Sequence, residues 1–207
     1  MKILVTAGPT REPLDPVRYI GNLSSGRTGF AVARALVSCG HEVVLVHGPV
    51  DLPPLEGVHL AKVDTGLEMF SACTAYWEEC DGLVSVAAVA DFRPANEKTE
   101  KIKRTGKQGY TLSLVANPDI VASLARTKGK RRVVGFALET RNGVEEAKRK
   151  LVEKDLDFVV LNDASAQGAL EAKWTLLGKN GMEACWGPSS KDSLARQLVE
   201  VAFPAHI

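Results

Sequence analysis

The 207-residue sequence contains no GxGxxG, no HExxH and no CxxC, and no apolar run approaching the roughly 20 residues that cross a bilayer. Each absence removes a class of function. The first excludes the standard dinucleotide-phosphate turn, the second a zinc protease, and the third a thiol redox pair or zinc clip. Charge of one sign is also missing. Twenty-six Lys and Arg stand against 25 Asp and Glu, a formal balance of +1, so no nucleic-acid or membrane partner is expected on electrostatic grounds. The four cysteines, Cys39, Cys73, Cys80 and Cys185, have no ligand spacing, and nothing before the first strand reads as a signal peptide, which points to a reducing cytoplasm. Cys39 and Cys73 sit in apolar helical runs and read as packing residues. The four histidines pair with no Ser or Cys nucleophile, so hydrolase chemistry has no support.

What is present is a series of apolar, non-alternating strands separated by helical segments. Strands are expected at Met1–Thr6, 42–46, Val58–Val63, Leu83–Val89, Val133–Ala137 and Phe158–Leu161. Helices are expected from Ser24 or Ser25 to Val37 with Gly40 as the stop, and over Leu67–Cys80, Pro118–Arg126, Gly143–Lys154 and Ser193–Val201. On Gly143–Lys154, Glu145 is expected to face Arg149 and Glu146 to face Lys150. The pattern predicts one α/β domain over residues 1–207, with a doubly wound, mostly parallel Rossmann-like sheet. Trp174–Leu177 and Met182–Trp186 read as a C-terminal hairpin, and the polar stretch Ala95–Gly109 as a mobile flap. In such folds ligands lie beyond the carboxyl ends of the strands, after Thr6, Val89, Ala137 and Leu161.

Several segments there can carry chemistry. Ser24-Ser25-Gly26 at a helix start offers hydroxyls and free N–H groups to a phosphate, or is an ordinary N-cap. Lys98, Lys101, Lys103, Arg104 and Lys107 crowd one segment, either a solvated loop or a flap that neutralises a triphosphate. Lys150 and Lys154 lie one turn apart on a helix face and can add two cations. Asp91 follows a strand end, where a carboxylate meets a ribose hydroxyl or a metal-held phosphate. Asn117 can cap the helix that Pro118 begins, and Phe136 can set an aromatic face against a base or pack in the core.

The run Thr6-Ala7-Gly8-Pro9-Thr10-Arg11-Glu12-Pro13-Leu14-Asp15-Pro16-Val17-Arg18-Tyr19-Ile20-Gly21-Asn22, followed by Ser24-Ser25-Gly26, closely resembles the phosphopantothenoylcysteine synthetase family. Further matches follow in the family's order: Ala87 to Pro94, Lys101-Ile102-Lys103, Asn117-Pro118-Asp119-Ile120, Gly135 to Thr140 and Asn162-Asp163. The resemblance implies a ligase of coenzyme A biosynthesis that condenses 4′-phosphopantothenate with L-cysteine. The carboxylate first attacks the α-phosphate of a nucleotide, CTP in bacterial members and ATP in eukaryotic ones, with Mg²⁺ offsetting phosphate charge. Cysteine then displaces the nucleoside monophosphate.

By motif matching, the resemblance gives Asn22 the task of orienting or polarising the acyl carbonyl, with Arg18 supporting that step and Lys101 stabilising charge during nucleotide activation. It arranges Ser85, Val86, Ala87, Asp91, Asn117, Pro118, Asp119, Ile120, Phe136, Lys150 and Lys154 around the nucleotide. It names no metal ligands. Homodimers are usual in the family, with a strand or flap from one subunit completing the other's site. A flavin-dependent decarboxylase domain precedes many bacterial synthetases, whereas here Met1-Lys2 enters the first strand directly, so a stand-alone synthetase or a piece of a longer chain is expected. A nicotinamide oxidoreductase is the alternative enzyme class, disfavoured by the missing fingerprint, and a non-catalytic nucleotide sensor is the alternative binding class.

Overall fold

The computed structural model describes residues 1–104, 109–139, 142–163 and 171–204. Strands β1 (Lys2–Ala7), β4 (Glu42–His47), β5 (Val58–Lys62), β6 (Gly82–Ser85), β9 (Arg132–Glu139) and β10 (Phe158–Asp163) pair in parallel. Strands β11 (Glu171–Gly178) and β12 (Glu183–Ser190) extend the sheet antiparallel, giving the order β12-β11-β10-β9-β6-β1-β4-β5. The expected C-terminal hairpin is therefore the edge of the main sheet. Two short pairs stand outside it, β2 (Arg11–Asp15) with β3 (Arg18–Gly21), and β7 (Phe92–Pro94) with β8 (Leu114–Ala116).

Both faces of the sheet are covered in its middle, which is why the central strands carry continuous apolar runs, whereas the edge strands β5 and β12 are only half-buried or exposed. Ile3, Val5, Val43, Leu45, Val84, Val134 and Val160 meet α1 (Arg27–Ser38) and α5 (Lys191–Ala202) on one face. On the other, Leu4, Val44, Leu83, Val133 and Val159 meet α2 (Gly66–Trp77), α3 (Ile120–Ala125) and α4 (Gly143–Glu153). Cys73 is fully buried in α2, and burial pushes its thiol up to about 12, in keeping with a packing role. Cys39 is half-buried against the first core.

Several boundaries differ from expectation for identifiable reasons. Helix α1 starts at Arg27, because Gly26 takes a left-handed φ of 73° and is itself the N-cap; neither serine caps the helix. The helix stops as Gly40 implies: Gly40 N donates to Val37 O and His41 N to Leu36 O, the two bonds of a Schellman ending. Helix α2 starts at Gly66, behind a capping box made by Thr65 and Glu68. The cap of α3 is Asp119, whose carboxylate accepts from Ala122 N at 3.0 Å, while Asn117 is used elsewhere. On α4, Arg149 pairs with Glu146 and Glu153, not with Glu145.

Candidate active site

In the parallel part of the sheet the chain runs outward from β1 in both directions, first to β4 and β5, then back to β6, β9 and β10. Reversal of winding next to β1 opens a crevice at the carboxyl ends of the strands. A cleft of about 760 Å³ lies there, walled by Gly8–Arg11, Tyr19, Asn22–Gly29, Val86–Ala88, Phe136–Leu138, Asn162 and Lys191. A hollow of similar size, about 780 Å³, lies at the opposite end, around Met1, Asp81, Lys128 and Phe203. Its arginines are committed to backbone carbonyls, Arg131 to Cys80 O and Arg132 to Ala202 O, so it presents little free chemistry.

The missing glycine fingerprint is present in a dispersed form. Gly8 makes the turn after β1 with a φ of 75°, and Gly26 opens α1 with a φ of 73°. A Cβ on Gly26 would sit 3.5 Å from the Gly8 Cα and 2.6 Å from Val50 Cγ1. Gly29, one turn into α1, rests on Ala7 of β1. Tight turn, open backbone at the helix start and close helix–strand contact are the three uses of glycine in a phosphate-binding βα unit. Here the β2/β3 hairpin is inserted between the first glycine and the other two, which hides the motif from a search by spacing.

The loop after β6 forms the opposite wall. Strand pairing was expected to continue to Val89, but it ends at Ser85 because the next donors find other acceptors. Val86 N and Ala87 N donate to Thr6 Oγ1 at 3.1 and 3.2 Å, Ala88 N to Gly8 O at 2.9 Å, and Ala90 N to Thr10 Oγ1 at 2.9 Å. Thr6 and Thr10 are buried and act as pegs for the loop; as single threonines after an apolar run they carried no signal beyond turn chemistry. Ser85 lies beneath, its Oγ 3.5 Å from Thr6 Oγ1. Asn22 closes the arrangement from the hairpin side: its Nδ2 donates to Ala88 O and Val89 O, both at 3.1 Å. Donation to an acyl oxygen therefore competes with these two carbonyls for the Asn22 amide.

Ser24, Ser25 and Gly26 line the cleft at the first turn of α1, where no side chain caps the helix and no acidic residue stands. Ser24 Oγ accepts from Gly26 N at 3.4 Å. Across the mouth stands Lys191, the first residue of α5, whose pKa is lowered by burial and then by repulsion from Arg27. Phe136 also lines the cleft, with its ring edge-on to Trp174 at 5.3 Å. Among the described residues the buried Asn162 Oδ1 meets no hydrogen-bond donor and lines the cleft as an acceptor. Lys191 and Arg27 carried no expected role in the sequence, and Arg11 and Tyr19 stood in the matched run without one. Arg11 and Tyr19 become neighbours through β2/β3 pairing, the guanidinium lying 4.9 Å from the ring centre.

The remaining expected residues stand outside the cleft lining. Asn117 Nδ2 donates to Ala90 O at 2.8 Å, Asn117 N to Asp91 O at 2.8 Å, and Arg93 reaches Asn117 Oδ1 at 3.2 Å, which fastens β8 to the outer side of the same loop. Asp91 is exposed there, and Pro118 follows Asn117 into the start of α3, where Ile120 is buried. Lys154 forms an ion pair with Asp119 at 2.7 Å, while Lys150 lies one turn earlier on α4. Arg18 is held by Asp15, whose side chain is fully buried, and its guanidinium donates to Ile102 O at 2.9 Å. The flap is therefore attached to the hairpin: Lys98 N donates to Leu14 O and Ile102 N to Asp15 Oδ2, each at 3.0 Å. This anchoring puts Lys101 and Lys103 on either side of a fixed residue. Lys107 and Thr140 lie outside the described residues.

Among the described residues no group of three His, Cys, Asp or Glu is arranged to hold a metal ion. No helix among the described residues is long and apolar enough to cross a membrane.

Residues 1–204 match the family described as the DNA/pantothenate metabolism flavoprotein C-terminal domain. The chain is 49% identical over 168 residues to the coenzyme A biosynthesis bifunctional protein CoaBC of Escherichia coli K12, covering 80% of this chain and 41% of that one. It is 43% identical over 206 residues to the CoaBC of Vibrio cholerae, covering 97% of this chain and 51% of the relative. It thus spans about half the length of the curated relatives it matches. A crystal structure of a CoaBC C-terminal domain superimposes with a TM-score of 0.83 at 34% identity, covering 97% of this chain and 92% of that one. The cleft at the strand ends, the dispersed glycines and these likenesses agree, and the chain belongs to the DNA/pantothenate metabolism flavoprotein C-terminal domain family.

Proposed function

We propose that residues 1–207 form a synthetase unit that joins 4′-phosphopantothenate to L-cysteine through an acyl-nucleotidylate, with CTP as the nucleotide. The observation that carries this reading is the double hydrogen bond from Asn22 to Ala88 O and Val89 O. It brings the hairpin residue matched to acyl transfer against the loop matched to nucleotide binding, inside one cleft.

A carboxylate is a poor acyl donor because it would have to expel oxide; the nucleotidylate supplies a better leaving group. In this reading the turn Ser24-Ser25-Gly26 takes the substrate phosphate through its serine hydroxyls and the first N–H groups of the helix that follows, α1. Backbone groups of Val86 and Ala87 read the base, and Ser85, Asp91, Asn117, Pro118, Asp119, Ile120 and Phe136 surround the nucleotide. Lys101 meets the charge that builds up during activation, assisted by Lys150 and Lys154 after Lys154 exchanges Asp119 for phosphate. Magnesium, when bound with the triphosphate, supplies further charge neutralisation. Asn22 holds the acyl group in register for the cysteine amine, and Arg18 supports that step.

Val17, Tyr19, Phe92, Tyr110, Leu114 and Val115 are exposed on or beside the two small strand pairs. An apolar face of this kind suits a second copy of the chain, and a homodimer in the cytoplasm is the assembly we propose. The deciding experiment is incubation with phosphopantothenate, Mg²⁺ and either CTP or ATP, with and without cysteine, followed by mass identification of products. Phosphopantothenoylcysteine with release of nucleoside monophosphate is expected; absence of any nucleotide-dependent product with either nucleotide would overturn the reading.

A further inference from the structure

Asp15 touches neither the cleft nor any residue matched to the nucleotide, yet its buried carboxylate collects donors from two functional segments. Oδ1 accepts from Val17 N at 3.0 Å, which shapes the turn between β2 and β3. Oδ2 accepts from Arg18, from Nε at 3.0 Å and from a second, shorter bond through Nη2, and from Ile102 N at 3.0 Å. The Arg18 guanidinium in turn donates to Ile102 O at 2.9 Å. Both backbone groups of Ile102 are thereby held, one by the carboxylate and one by the arginine that the carboxylate orients. A buried carboxylate with this many donors has one low-energy arrangement, and each partner's position depends on the others.

We propose that Asp15 is the positioning residue that couples the two half-reactions: it fixes Arg18 on the hairpin and the Lys101-Ile102-Lys103 segment of the flap against one another. The proposal rests on the ligase reading for the roles of Arg18 and Lys101, and on hydrogen-bond geometry alone for the clamp. Lys101 is next in chain to Ile102, so freeing Ile102 removes the reference from which the lysine is aimed. Displacement of a catalytic group by about 1 Å costs on the order of 100-fold in rate. A residue that aligns only one segment would slow one step. Asp15 aligns both, so its loss slows both.

The test is Asp15→Asn in the full chain, compared with Lys101→Gln and Arg18→Gln. Nucleotide activation is read as pyrophosphate release without cysteine, and acyl transfer as decay of preformed acyl-nucleotidylate after cysteine addition. Asp15→Asn is expected to slow both steps by roughly 10- to 100-fold, whereas Lys101→Gln slows only the first and Arg18→Gln only the second. Trypsin cleavage after Lys101, Lys103 and Arg104 should accelerate in Asp15→Asn, a readout independent of any ligase activity. Loss confined to one step, or a flap as resistant to trypsin as in the unsubstituted protein, would overturn the proposal. If Asp15→Asn does not fold, amide exchange in the unsubstituted protein decides: Ile102 N–H should exchange more slowly than its neighbours at Lys101 and Lys103, and equal rates would refute the clamp. Failure of the ligase reading is separately visible, because the unsubstituted protein would then form no product while the flap remained protected.

Discussion

Gly29 of α1 lies so close to Ala7 of β1 that a Cβ placed on it would stand 2.5 Å from the Ala7 Cβ. Gly29→Ala should therefore destabilise the protein despite the gain of about 1 kcal/mol in helix propensity. Overpacking costs about 1–3 kcal/mol, and the clash is with a strand buried on both faces, which cannot yield. Denaturant unfolding checks the sign; an unchanged or higher midpoint would mean that α1 shifts without penalty.

Thr6→Val keeps the side-chain shape but removes the oxygen that accepts from Val86 N and Ala87 N. An unsatisfied buried donor costs about 1–3 kcal/mol, and these two are half-buried in the cleft wall, so stability should fall by about 1 kcal/mol and Thr6→Ser should restore most of it. Thermal unfolding of the pair provides the measurement. Equal stability of the Val and Ser variants would show that water replaces the hydroxyl.

Much of the fold could be read from the sequence, because a sheet buried on both faces leaves long apolar runs such as Ile3-Leu4-Val5 and Val43-Val44-Leu45-Val46. What could not be read depends on contacts between distant segments. Nothing in the order of residues says that Thr6 will end β6 early, or that Pro13 and Tyr19 will pair across a turn. The site shows the same division. Asn22, Ser24, Val86 and Phe136 converge in the cleft, but Arg18 and Lys101 lie to one side, joined through Asp15, whose part was invisible because, Arg18 apart, its partners are backbone groups of Ile102 and Val17.

Asn22→Asp should separate the half-reactions. The substituted carboxylate cannot donate, and it would face the carbonyl oxygens of Ala88 and Val89 that the amide now satisfies. Acyl transfer to cysteine is expected to slow on the order of 100-fold, with nucleotide activation retained and the acyl-nucleotidylate accumulating. Normal product formation, or no activation at all, would remove Asn22 from this role.

Lys101→Gln should lose pyrophosphate release while the fold stays intact, since Lys101 is exposed beside the anchored Ile102. Unaltered release would assign phosphate neutralisation to another cation.

The Asp15 carboxyl is held well below its usual range, first by its hydrogen bond with Arg18 and further by the N–H groups of Ile102 and Val17. A depressed folded-state value means that this stabilisation is complete above the unfolded value of about 4 and is lost as pH falls below it toward the folded value. The difference in melting temperature between the unsubstituted protein and Asp15→Asn should thus be constant from pH 7 to about 5 and shrink in stronger acid. A difference that shrinks already above pH 5 would contradict the assignment.

The glycine turn interrupted by the hairpin has a consequence for how this protein can vary. Because Gly26 returns to within contact of Gly8, the chain leaves β1 and enters α1 at nearly the same point, and residues 11–21 lie outside that neck. The hairpin beyond it is tied down by its own buried carboxylates, Glu12 accepting from Gly66 N at the start of α2 and Asp15 from Ile102 N on the flap. A change in the hairpin is therefore passed on to α2 and to the flap, not along β1 into α1.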